Sequence, residues 1–206
     1  MAIKLKKKFD IIFAREKRMA SSVALQAIQP KPFSVWEVLI PIIFVLGFMR
    51  SREQREVFAQ NLMFTKKMAL DAAFEMLKNG QAKDAAMQRI AVETQSLLST
   101  IPSGVYSDAI RQKQLGEIDL LIDHYCRLLQ ADGGDYAALT ADAYRTRQAY
   151  AAFLDRLALA EQAVTEAARE TLGNQTDTQM AERIAAGTDK YRQQEIEAIY
   201  DRCLRG

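Results

Sequence analysis

Residues 33–49 read FSVWEVLIPIIFVLGFM, and where this stretch is placed decides how the rest of the fold is read. From Val38 to Met49 it carries no charge, Trp36 stands at its polar edge and Pro41 sits at its centre. An indole at the border of an apolar run suits a lipid–water boundary. As a helix the stretch would reach about 25 Å, short of the roughly 30 Å of bilayer hydrocarbon. With Glu37 and Pro41 inside the count, a full crossing is marginal.

Three placements compete. The favoured one enters the membrane shallowly, bends at Pro41 and Gly47 and returns, which leaves both flanks on one cytoplasmic face. It stays shallow because broken backbone deep in lipid needs cover from protein or water. The second is a single span. The third is a buried helix over 38–49 at the centre of a soluble bundle, where a run of about a dozen apolar residues is common. Against the third stand the cationic segments on both sides and the tryptophan at the edge.

Working outward, the net charge of +2 hides a strong asymmetry. Residues 1–32 hold Lys4, Lys6, Lys7, Lys8, Arg15, Lys17, Arg18 and Lys31 against Asp10 and Glu16. Residues 50–67 hold Arg50, Arg52, Arg55, Lys66 and Lys67 against Glu53 and Glu56. Everything after residue 67 is net acidic. A basic third ahead of an acidic body fits a chain that meets an anionic surface at one end and water or a partner at the other.

The first segment, residues 1–32, places Leu5, Phe9, Ile12, Phe13, Ala20, Val23 and Ala27 on one side of a helix, with cations over much of the remainder. Such a helix can lie among lipid headgroups, each Lys or Arg contributing on the order of 1 kcal/mol at an anionic leaflet. A secretory signal is disfavoured by the short apolar patch and by Asp10. Asp10 and Glu16 likewise weaken a transit peptide. Nucleic acid is not expected as a partner, because clustered lysines without a reading element are a weak signal.

The body, residues 50–206, reads as helices. Pro30 and Pro32 end the first one. Ser51 and Gln54 form a capping box ahead of Val57, Phe58, Leu62, Phe64 and Met68, and Gly80 stops that helix. A weaker helix runs from about residue 82 to 98. Ser107 caps another, with Ile110, Leu115, Ile118, Leu121, Ile122, Tyr125, Leu128 and Leu129 on one face before Gly133-Gly134. Residues 135–172 are expected as one long helix, its apolar positions Tyr136, Leu139, Ala143, Tyr150, Phe153, Leu157, Ala160, Val164 and Ala167 stepping by threes and fours. A last helix follows Thr176. No strand pattern appears, so the fold class is all-α: a basic amphipathic helix and an apolar segment, then an antiparallel bundle or long helical hairpin.

Chemistry is sought and not found. The sequence lacks a phosphate loop, a dinucleotide fingerprint, H-E-x-x-H and C-x-x-C. Cys126 and Cys203 are expected to be reduced, half-buried thiols. The single histidine, His124, cannot supply the paired Glu-x-x-His of a di-metal bundle, and Asp123 with Arg127 reads as an exposed ion pair. Tyr125, Tyr136, Tyr144 and Tyr150 read as core residues. No cofactor and no metal are expected.

The functional expectation is a non-catalytic module held on the cytoplasmic face of a membrane, the inner membrane if the source is bacterial. Its anchors are Phe33, Trp36, Ile40, Ile43, Phe44, Leu46 and Phe48. Lys6, Lys7, Lys8, Arg50 and Arg52 clamp anionic headgroups. The helical body binds a protein partner or a second copy of itself. The alternative is a soluble helical enzyme or ligand-binding protein built round 38–49, for which Glu37, Glu117, Asp123 and His124 are the candidate polar groups.

Overall fold

The computed structural model describes residues 2–27, 51–100, 106–172 and 178–200, all of them helices and short turns. Among these residues lie seven helices: α1 (Ala2–Ala27), α2 (Ser51–Asn79), α3 (Lys83–Thr100), α4 (Asp108–Gln130), α5 (Tyr136–Tyr144), α6 (Arg147–Leu172) and α7 (Thr178–Tyr200). None of the described helices is long and apolar enough to cross a membrane.

Local chemistry sets the boundaries. Gly80, at φ +68°, ends α2 in the left-handed conformation, and the Gln81 N–H returns to the Met76 carbonyl at 3.2 Å, as in a Schellman cap. Ser107 caps α4 as expected, its hydroxyl accepting from the Ile110 N–H. The expected long helix over 135–172 is instead two. Arg145, at φ 58°, leaves α5 in the left-handed region, and Thr146 restarts the chain by accepting the Ala149 N–H at 3.1 Å. A threonine that can cap a new helix costs little at the break, and apolar spacing alone does not register it.

Five helices close a ring in the order α1, α2, α4, α6, α7 and back to α1. Phe9 meets Phe74, and Glu16 meets Lys66, so α1 and α2 run antiparallel. Arg15 with Glu195 and Val23 with Gly187 make α1 and α7 antiparallel. His124 with Phe153 and Ser107 with Thr171 do the same for α4 and α6. Consequently Ala27, Ser51, Asp108, Leu172 and Thr178 gather at one end of the ring. Outside it, α3 packs on α4 and α2, and α5 fills the turn between α4 and α6.

The core is continuous from Ile12 through Leu70, Ile118, Leu121, Ile122, Tyr125, Leu128, Leu139, Tyr150, Phe153 and Leu157. Each such side chain contributes roughly 1.5–3 kcal/mol on burial. Ile12, Ala20 and Val23, assigned from sequence to a lipid-facing side, are inside this bundle. An amphipathic pattern specifies a stripe that must be covered but not what covers it. Here α2 and α7 do.

Candidate functional site

Every helix of the ring sends charged or polar side chains to its centre. From α1 come Arg15 and Glu16, adjacent in sequence, at 6% and 2% exposure. Arg15 forks onto Glu195 of α7, Nε donating to Oε1 at 2.6 Å and Nη2 to Oε2, while Nη1 donates to Glu16 at 2.8 Å. Its guanidinium also lies 4.7 Å from the centre of the Tyr136 ring. The Tyr150 hydroxyl donates to Glu195 Oε2 at 2.6 Å and lies 3.4 Å from the Tyr136 hydroxyl. A bidentate guanidinium–carboxylate pair is the geometry in which a buried charge is best compensated.

The belt continues on the other side. Lys66 of α2 sits 3.5 Å from Glu16 and 4.0 Å from Glu161 of α6, and Arg192 of α7 donates to Glu161 at 2.8 Å. Three cations thus face Glu16, Glu161 and Glu195. Glu117 of α4 is a fourth buried carboxyl, accepting from the Thr65 hydroxyl at 3.1 Å.

Those surroundings set the protonation states. Burial disfavours the Glu16 anion, but Arg15 and Lys66 overcome it and hold the group down at about 2. For Glu117 burial wins, Glu161 adds repulsion, and the carboxyl is pushed up to about 7. His124, stacked on Phe153 with ring centres 4.2 Å apart and its Nδ1 2.7 Å from the Tyr144 hydroxyl, is lowered to about 3 by burial and stays neutral.

Beside this belt, between α1, α2, α6 and α7, lies a cavity of about 410 Å³. Its floor includes Lys66, Glu117, Glu161 and Arg192, and Met19, Val23, Leu62, Val164 and Ile184 form its apolar walls. The belt holds no nucleophile paired with a base. Cys126 is half-buried with its thiol pKa raised by burial, which makes it a poor nucleophile. Among the described residues no group of three or more His, Cys, Asp or Glu side chains could hold a metal.

The sequence candidates are distributed as follows. Phe33, Trp36, Glu37, Ile40, Ile43, Phe44, Leu46, Phe48 and Arg50 lie outside the described residues, and Arg52 is in the first turn of α2. Lys6 pairs with Asp10 at 2.8 Å, Lys7 is exposed, and Lys8 reaches Asp132 at 3.9 Å. Of the polar groups named for a pocket, only Glu117 reaches the cavity. Asp123 does not pair with Arg127 as expected. It binds Lys83 at 2.8 Å, and Arg127 lies over the Tyr144 ring.

Sequence reading missed the belt, although its signal is present. Charged residues occupy core positions of the helical repeat, as in Ile12–Arg15–Met19, Met63–Lys66–Leu70 and Leu157–Glu161–Val164. Comparison with family models finds no match for this chain, and neither a curated protein nor a solved structure matches it.

Proposed function

We propose that this chain is a non-catalytic interaction or scaffold module tethered to the cytoplasmic face of a membrane by residues 33–49. The observation that carries the reading is the antiparallel packing of α1 and α2, which brings Ala27 and Ser51 to the same end of the ring. A single crossing would put these helices on opposite faces of the bilayer, so the reading is a segment that dips in and returns. Folded at Pro41, each eight-residue arm would reach about 12 Å as helix, within one leaflet. Phe33, Trp36, Ile40, Ile43, Phe44, Leu46 and Phe48 are its anchors.

Charge supports the same orientation. Lys4, Lys7 and Arg18 share the solvent side of α1 at helical spacing, in line with Leu25, which is 60% exposed near the anchor end. With the bundle lying on that side, Lys6, Lys7, Arg50 and Arg52 meet anionic headgroups. The body would then offer its exposed alanines, Ala137, Ala138, Ala149 and Ala152, to a second copy or another protein.

The test is flotation of the full chain with vesicles containing anionic phospholipid, beside a double variant, Ile43→Asp with Phe44→Asp. The natural chain rises with the vesicles and the variant stays at the bottom with an unchanged helical circular-dichroism spectrum. A variant that still floats would overturn the assignment of the anchor.

A further inference from the structure

The cavity at the gathered end of the ring has a graded wall. Along α1 the chain passes from Glu16 to Val23, along α2 from Lys66 back to Leu62, along α6 from Glu161 to Val164, and along α7 from Arg192 back to Ile184. In each helix the charge lies toward the middle of the bundle and the apolar residue toward the end. The result is a polar floor under an apolar shaft, of a volume at which small ligands are held, about 300–1,000 Å³.

The floor has unused donors. Arg192 is 4% exposed; its Nη2 donates to Glu161, while its Nη1 is buried with no hydrogen-bond partner among the described residues. Burying a donor without a partner costs about 1–3 kcal/mol. The Lys66 ammonium touches carboxylates only at 3.5 and 4.0 Å, beyond good hydrogen-bond length. Both groups call for acceptor oxygens. Glu161, which serves both cations, is the more open of the three, its side chain 28% exposed, and can share them.

We propose that this cavity binds a monocarboxylic acid with an unbranched apolar chain, its carboxylate bridging Lys66 and Arg192 and its chain lying along Val23, Leu62, Val164 and Ile184. An amine would add a third cation beside these two and leave the Arg192 donor unmet. An alcohol brings one oxygen for two cationic heads. Glu117, held uncharged up to about 7, adds no second full negative charge beside the bound carboxylate. The exposed carboxylates Glu182 and Asp189 at the rim are screened by salt.

The site is independent of the membrane reading, because it is measured without vesicles. Titration calorimetry of the full chain at pH 6, with decanoate, decan-1-ol and decylamine each below its aggregation concentration, provides the test. The expected result is one decanoate per chain, bound at least tenfold more tightly than the alcohol, with the amine weakest. Arg192→Met should remove the tenfold preference and leave decanol binding intact, which also reports that the variant is folded. Should that variant not fold, Ile184→Trp at the shaft is the second test and should weaken decanoate and decanol together. Dihexanoyl phosphatidylcholine, whose acyl groups are esterified, should not displace decanoate. Equal affinity for acid and alcohol, tighter binding of the amine, displacement by the phospholipid, indifference to Ile184→Trp, or no binding at all would each overturn the proposal.

Discussion

Replacing Glu117 with Gln should change stability by an amount that depends on pH, and the structure fixes the sign. Glu117 is 5% exposed and its carboxyl is pushed from 4.5 to about 7, first by burial and then by Glu161. Between those values the folded chain holds a proton that the unfolded chain has released, so the wild-type protein loses stability as pH rises through this interval and levels off above it. At about 1.36 kcal/mol per pH unit, the loss between pH 5 and pH 8 is about 2.5 kcal/mol. Gln carries no proton to lose, yet its amide oxygen can still accept from Thr65. Buried His124, lowered to about 3, acts in the opposite sense, removing stability as pH falls below the ordinary value of 6.5. Its contribution is common to both proteins and cancels in the difference. The assay is urea unfolding of wild type and variant at pH 5 and pH 8. The variant should gain on the wild type by about 2–3 kcal/mol between the two conditions. A difference that is flat with pH, or that shrinks at pH 8, would refute the account of why Glu117 is uncharged.

Three further outcomes follow from the packing. Arg15→Met leaves Glu16 and Glu195 without their main counter-charge and should cost about 3–5 kcal/mol in denaturant unfolding. Replacing both Arg15 and Glu195 with apolar residues should cost less than Arg15→Met alone. Gly133→Ala places a Cβ 2.6 Å from the backbone nitrogen of Leu139, so the α4–α5 turn must shift; a loss of about 1–3 kcal/mol is expected, read as a lower melting temperature. Deleting residues 1–27 removes Ile12, Ala20 and Val23 from the core and uncovers Lys66 and Glu195, and the remainder should lack a cooperative unfolding transition.

Much of the bundle was legible in the chain. The start of α2 at Ser51, its stop at Gly80 and the cap of α4 at Ser107 follow from local chemistry that neighbouring helices do not override. Tyr136, Leu139, Tyr150, Phe153, Leu157, Val164 and Ala167 are buried as their spacing implies. The break at Arg145 was not legible, because the apolar spacing runs through it. Nor was the placement of α1, whose cationic surface reads the same whether its apolar side meets lipid or protein. The polar belt was hidden for a further reason. Arg15, Glu16, Lys66, Glu117, Glu161, Arg192 and Glu195 come from five helices, and a single charge at a core position looks like an ordinary solvated residue until its partners are brought beside it. Of the cavity's floor, Glu117 alone was named in advance.

The most direct measurement of the central claim is sequential extraction of the full-length protein from membranes with high salt, alkaline carbonate and detergent. Attachment through residues 33–49 predicts that salt and carbonate leave the protein in the pellet and that detergent releases it. Complete release by salt would reduce the attachment to the basic surface of α1, and a protein that never pellets would contradict membrane tethering altogether.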